Sequence, residues 1–336
     1  MKILIIHTAF IGDIVLSTPL LKRIKEVYPE AKITYVTTPI GATILRNNPN
    51  ITEIIEYDKR GNHSGIKGLV ALGRRLRYEN FNIVITPHRY LRSSVLAWLT
   101  RSPKRIGYDI ASGSFLFTNK IKYDKNKHEV EKLLSFLGEV PKNPREGYPI
   151  ELYPNKKDSD TVDKIWNENG LFSEKIVAIA PGSKWFTKKW PLEYFNEVIK
   201  LLLKDNVKVV VIGGKDELFL NMETHKNIID LRGKTTLLEL AEVLKRVEVV
   251  LTNDSSPIHI ASAFSKTTIL AIFGPTVKEF GFFPWSRNSE VLEIEELACR
   301  PCAIHGGNKC PKGHFKCMLE IKPEKVYEKI LQKLKR

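Results

Sequence analysis

The sequence predicts an α/β protein of two doubly wound parallel sheets. Three observations carry this expectation. The chain has 336 residues, which suits two domains of about 150 each. Short Ile- and Val-rich runs alternate with stretches of helical period in both halves. The runs end in loops rich in Gly, Pro, Ser and Asp, where open α/β sheets bind their ligands.

Taken in order, residues 2–6 read as a buried strand, the polar loop 7–13 follows, and 14–27 has helical period up to Pro29. Residues 32–37 are the next strand, completing a βαβ unit. A strand near 54–57, a helix near 66–77, a strand at 82–86 and a helix at 93–99 repeat the pattern. The stretch 141–157, rich in Pro, Lys and Asn, reads as the boundary, giving domains 1–155 and 156–320. The second series runs strand 176–180, helix 192–203, strand 207–212, helix 237–244, strand 248–252, helix 258–264 and strand 268–273. Residues 323–336 form an amphipathic helix with Val326, Ile330 and Leu334 at spacing four.

Composition excludes several classes. Hydrophobic residues are 43% and charged residues 27%, the balance of a chain that buries a large core. Twenty Gly and eighteen Pro are too few for a collagen-like or low-complexity chain. No apolar run reaches the roughly 18 residues of a membrane span. The N-terminal run meets His7 and Asp13 without a cleavage pattern, so it reads as a strand of a cytoplasmic protein. The formal charge is +15. Up to residue 150 there are 24 basic and 13 acidic residues, and after it 29 and 25, so the excess sits in the first half. An anionic substrate, an anionic membrane surface and a lysine-rich solvated surface all fit this asymmetry. Nucleic acid does not, since no zinc-finger, RNP, KH or basic-zipper pattern occurs.

Four post-strand loops carry candidate chemistry. In Gly12-Asp13 the carboxylate reads either as a helix cap or as a general base. Residues 181–191, Pro-Gly-Ser-Lys-Trp-Phe-Thr-Lys-Lys-Trp-Pro, offer Ser183 and three lysines suited to phosphate. They lack the Walker spacing, and no Gly-x-Gly-x-x-Gly follows any strand. Residues 253–259, Asn-Asp-Ser-Ser-Pro-Ile-His, open a helix whose Ser255 and Ser256 amides would face an anion, while His259 reads as readily as a core histidine. Phe273-Gly-Pro-Thr276 is a tight turn after the last clear strand. No Gly-x-Ser-x-Gly supports a serine hydrolase.

In this order and spacing the four motifs resemble glycosyltransferase family 9, the heptosyltransferases, over residues 3–276. The resemblance implies the GT-B architecture, two Rossmann-like domains facing a central cleft. It also implies a last helix, 321–336, that crosses back to the first domain. It implies inverting, metal-independent transfer of heptose from an ADP-heptose donor to the inner core of lipopolysaccharide. By motif, Asp13 matches the catalytic base and Gly12 its loop. Lys188 and Ser183 match the donor-phosphate loop, and Asp254, Ser255, Ser256 and His259 the diphosphate and sugar site. Glu217 falls where the family places a ribose-binding carboxylate, with Thr235 and Thr236 near the adenine. Arg89 and Arg92, in His88-Arg-Tyr-Leu-Arg92, are assigned to acceptor anions or, equally, to a solvated helix start. The implied acceptor is phosphorylated lipid A–Kdo inner core, met by a monomer attached peripherally to the cytoplasmic face of the inner membrane. The Cys-rich tail and the Pro-Gly-Ser loop lean toward the second-heptose type. Two other readings stay open: a GT-B transferase with another nucleotide sugar or acceptor, and a non-catalytic nucleotide-sugar-binding protein. An intact Asp13 argues against the second.

The cysteines Cys299, Cys302, Cys310 and Cys317 lie within one short stretch, with His305 and His314 between them. Reduced thiols, a structural zinc or other metal, and redox-linked pairs are the three readings. None of them is catalytic, and no cofactor is required by the resemblance.

Overall fold

A computed structural model describes residues 1–335. The chain divides into two units between Tyr153 and Pro154. The first holds β1 (Lys2–Ile6), β2 (Lys32–Thr37), β3 (Glu53–Glu56), β4 (Ile83–Thr86), β5 (Lys104–Tyr108) and β6 (Asn119–Ile121). They pair in the order β3-β2-β1-β4-β5-β6, all parallel. The second holds β7 (Ile176–Ala180), β8 (Lys208–Val211), β9 (Ile228–Asp230), β10 (Val249–Asn253), β11 (Thr268–Ile272) and β12 (Ser289–Leu292). Its order, β12-β11-β10-β7-β8-β9, is the same topology, again all parallel. Each sheet is a doubly wound Rossmann sheet whose order reverses beside its first strand, between β1 and β4 in one unit and β7 and β10 in the other.

The central strands are apolar on both faces because helices cover both. Ile3, Leu4, Ile5 and Ile6 are fully buried, as are Val249, Val250 and Leu251. Each such side chain contributes roughly 1.5–3 kcal/mol on burial.

The helix expected over 14–27 is two helices, Ile11–Leu16 and Thr18–Val27. Pro19 explains the break. A proline has no N–H to give the Val15 carbonyl, and the Thr18 hydroxyl donates to that carbonyl instead (2.9 Å). The last helix, Pro323–Leu334, packs on the second unit. Val326, Ile330 and Leu334 are buried in the core of the second unit with Phe195, Ile199 and Leu202 of helix Leu192–Lys204. The Lys175 ammonium also donates to the Leu334 carbonyl (3.0 Å). No described helix is long and apolar enough to cross a membrane.

Candidate active site

In the first unit the site gathers where the sheet order reverses. Helix Ile11–Leu16 follows β1, with Phe10 as N-cap and Gly12 and Asp13 in its first turn. The Asp13 carboxylate accepts from the Phe10 amide and its own, so the cap and the base readings describe one side chain. Burial, then the nearby Glu129, push its pKa up to about 7, against the pull of those amides and of Arg89. Behind it the Tyr35 hydroxyl meets Ser17 Oγ (2.7 Å) and His7 Nδ1 (3.3 Å). His88 lies after β4, its Nδ1 2.7 Å from Ser93 Oγ and 3.3 Å from Thr8 Oγ1. Burial, assisted by Lys59, lowers His88 to about 4, and burial, assisted by His88, lowers His7 to about 3. Both rings are therefore neutral near pH 7. Arg89 is exposed and lies 4.7 Å from the centre of the Tyr123 ring. Arg92 is half-buried, 5.8 Å over Tyr57, and donates to the Gly65 carbonyl. Sequence reasoning missed Lys59, whose ammonium donates to the Thr8 carbonyl (2.9 Å). The signal was available: Lys59 lies in the loop after β3.

In the second unit three of the motif loops converge on one carboxylate. The Lys188 ammonium stands 2.6 Å from Asp254 Oδ2, and the Thr276 hydroxyl donates to the same oxygen (2.7 Å). The loops after β7, β10 and β11 are thereby tied together. Ser255 caps helix Ser256–Ala261 without a side-chain bond to its first-turn amides; its hydroxyl instead donates to the Asn253 carbonyl (3.3 Å). His259 is buried and its Nδ1 has no partner. Burial lowers its pKa to about 4, Asp254 opposing and Lys188 assisting, so the ring is neutral. Ser183 is half-buried at the loop start. The Glu217 carboxylate lies where a Cβ would stand at Gly182 and at Gly213. Burial and Asp216 raise its pKa, Lys189 and Arg232 lowering it in part. Thr236 is committed locally, accepting from the Glu239 amide (3.2 Å) while Glu239 accepts from its own (2.7 Å). Thr235, half-buried beside it, makes no such cap.

Asn253 and Arg300 were not singled out from sequence. Asn253, the fully buried end of β10, donates to the Pro181 carbonyl (2.8 Å) and accepts from the Trp190 amide (2.9 Å). One side chain thus closes the whole 181–190 loop. Asn253→Ala is expected to strand both backbone groups and cost about 2–4 kcal/mol. Thermal unfolding checks this. Arg300 donates to the carbonyls of Gly274 and Thr276 (the latter 2.8 Å) and pairs with Glu293 (2.7 Å), bracing the third loop.

The cysteine segment also serves that brace. Thr187 exchanges hydrogen bonds with Gly307, its amide donating to the Gly307 carbonyl (3.0 Å) and its hydroxyl accepting from the Gly307 amide (2.7 Å). All four cysteines are free thiols. Cys299 Sγ is 3.8 Å from His314 Nε2, Cys302 donates to the Cys299 carbonyl (3.0 Å), and Cys317 is buried in the core. Burial raises the Cys317 thiol to about 11. Among the described residues no three His, Cys, Asp or Glu side chains converge as a metal site.

Two Rossmann sheets, each with its candidate residues gathered where the strand order reverses, place the chain in the doubly wound α/β class. The profile of glycosyltransferase family 9 (heptosyltransferase) matches residues 69–310. The chain belongs to that family. Lipooligosaccharide heptosyltransferase 2 of Campylobacter jejuni is 27% identical over 346 residues, covering 100% of this chain and 99% of the relative. The glycosyltransferase family 9 structure from Veillonella parvula superposes with a TM-score of 0.87 at 24% identity, covering 99% and 97% of the two chains. The E. coli ADP-heptose lps heptosyltransferase II does so at 0.80 and 21%, covering 99% and 98%.

Proposed function

We propose that this enzyme transfers heptose from ADP-heptose to the inner core of lipopolysaccharide, inverting the anomeric carbon and using no metal ion. The observation that carries the reading is the convergence of Lys188, Thr276 and Asp254 on one point of the second unit. Relatives whose names specify lipooligosaccharide heptosyltransferase 2 and ADP-heptose transfer supply the substrate class.

Asp13 takes the proton of the acceptor hydroxyl as that oxygen bonds to the anomeric carbon. The opposite bond breaks and its electron pair leaves on the β-phosphate oxygen of ADP. Lys188 and the Ser255 and Ser256 amides meet that growing charge, the role a metal plays in other nucleotide-sugar enzymes. Asp254 aims Lys188, and His259 and Ser183 face the diphosphate and sugar. Glu217 takes the ribose hydroxyls. Thr235 lies at the adenine, where Thr236 contributes through its backbone because its hydroxyl caps a helix.

The phosphorylated lipid A–Kdo acceptor is drawn to the basic first unit, with 24 basic and 13 acidic residues to position 150, through Gly12, Arg89 and Arg92. The enzyme works as a monomer, peripherally attached to the cytoplasmic face of the inner membrane. The test is product mass spectrometry with ADP-heptose, EDTA, and Kdo-bearing acceptors with and without a first heptose. A gain of one heptose on the heptose-bearing acceptor is expected. No product on either acceptor, with ADP still bound, would move the assignment to another sugar or acceptor.

A further inference from the structure

Glu129 is a buried carboxylate that the fold alone does not explain. It is the first residue of helix Glu129–Leu134, whose N-terminus is already closed by a capping box between His128 and Glu131. Its side chain has no part in that box. Glu129 is 8% exposed, and its Oε2 has no hydrogen-bond partner. Lys132, 2% exposed, holds an ammonium 3.5 Å from that oxygen. A buried ion pair this loose repays little of its desolvation, so the pair is a poor way to stabilise a helix.

The surroundings give it a purpose. Helix Glu129–Leu134 packs against helix Ile11–Leu16, which carries Asp13. Lys132 and Arg89 both lie on the Tyr123 ring, at 5.0 and 4.7 Å, and Tyr123 meets Tyr108 edge-on at 5.1 Å. Asp13 is thus faced by Glu129 from one helix, by Arg89 from the loop after β4 and by Tyr35 from β2. Glu129 is faced by Lys132 on its own helix, by Arg89, and by Tyr108 of β5.

We propose that Glu129 is a positioning residue for the catalytic base: a second buried carboxylate, paired with Lys132, on the helix that packs against the one carrying Asp13. This rests on the assignment of Asp13 as base. A like charge close by favours the protonated form of Asp13, and a stronger base accepts more of the hydroxyl proton in the transition state. Arg89 acts in the opposite direction, so the two set the basicity of Asp13 between them.

The test compares wild type, Glu129→Gln and Glu129→Asp in the full chain by two readouts. One is the pH–rate profile. The other is the 13C titration of the Asp13 carboxyl without substrate, assigned by its loss in Asp13→Asn. Glu129→Gln is expected to lower the Asp13 midpoint by about one pH unit in both readouts. It should lower the high-pH rate about three- to ten-fold. Glu129→Asp should stay near wild type. Because Glu129→Gln leaves Lys132 charged and buried, Glu129→Gln/Lys132→Gln is measured beside it and must show the same shift. A folded Gln variant with an unmoved midpoint in both readouts overturns the proposal. A carboxyl titration that moves while Asp13→Asn still transfers overturns the base assignment instead, leaving the coupling of the two carboxylates intact.

Discussion

Asp13→Asn is expected to cut transfer by about 10²–10⁴-fold, the usual worth of a positioned general base, while making the folded protein more stable at alkaline pH. Both follow from one environment. Burial and Glu129 raise Asp13 to about 7 from the ordinary 3.8. Between those values the native state holds a proton that the unfolded chain has released, so stability falls as pH rises through that window. Below about pH 4 both states are protonated and nothing is lost. Above pH 7 the native protein carries an ionised carboxylate where it is disfavoured, at a cost on the order of 4 kcal/mol. Asparagine never carries that charge, yet its carbonyl oxygen still accepts from the Phe10 amide. The stability gain of Asp13→Asn should therefore be absent at pH 4, appear between pH 4 and 7 and level off above. The wild-type rate should climb through the same window and reach a plateau. Thermal unfolding and initial rates across pH 4–9 check both curves. A variant less stable than wild type at pH 8 would mean that Asp13 serves the fold as a cap. Unchanged transfer would remove it from the chemistry.

The parts of this protein legible in the sequence are those whose residues obey a local rule. The strands β1, β4, β7 and β11 are predominantly apolar on both faces, and a run such as Ile176–Ala180 admits few other readings. The edges were harder. β6 is Asn-Lys-Ile and β12 is Ser-Glu-Val-Leu. Edge strands keep solvent on one side and tolerate charge there, so they carry no apolar signal. The short helices Pro39–Leu45 and Glu129–Leu134 were missed because each spans under two turns. The site divides along the same line. Asp13, Lys188 and Asp254 stand just beyond the ends of strands, where a Rossmann sheet puts ligands whatever the rest of the chain does. Asn253, Arg300, Lys59 and Glu129 act on partners far away in sequence. The bond from Asn253 to Pro181 spans 72 residues and that from Arg300 to Thr276 spans 24. No spacing rule reaches across such distances. The Cys-rich segment invited a metal or redox reading because its residues are chemically conspicuous. Its clearest contacts to the loops after β7 and β11 come from Gly307 and Arg300.

Lys188→Met is expected to lower transfer by about 10²–10³-fold, the loss typical when a group aimed at developing charge is removed. The structure makes the interpretation demanding, because Lys188 also holds Asp254. Their side chains are 14% and 8% exposed and 2.6 Å apart. Removing the lysine alone leaves a buried carboxylate with only the Thr276 hydroxyl for company, at a cost of about 3 kcal/mol. Lost activity could then reflect a distorted loop. Asp254→Asn in the same chain separates the two effects. The amide oxygen still accepts from Thr276, no unpaired charge remains, and replacing both members of such a pair is close to neutral. Lys188→Met/Asp254→Asn should therefore regain wild-type stability to within about 1 kcal/mol while transfer stays low. His259 reports on the same cycle. Burial holds it near 4, with Lys188 pushing down and Asp254 pulling up. In Lys188→Met only the carboxylate remains and the His259 midpoint must rise, whereas in the double variant burial stands alone. Recovery of stability without recovery of transfer fixes Lys188 as the cation that meets the leaving diphosphate. Recovery of both together would reduce it to a structural partner of Asp254 and shift the burden of that charge to the Ser255 and Ser256 amides.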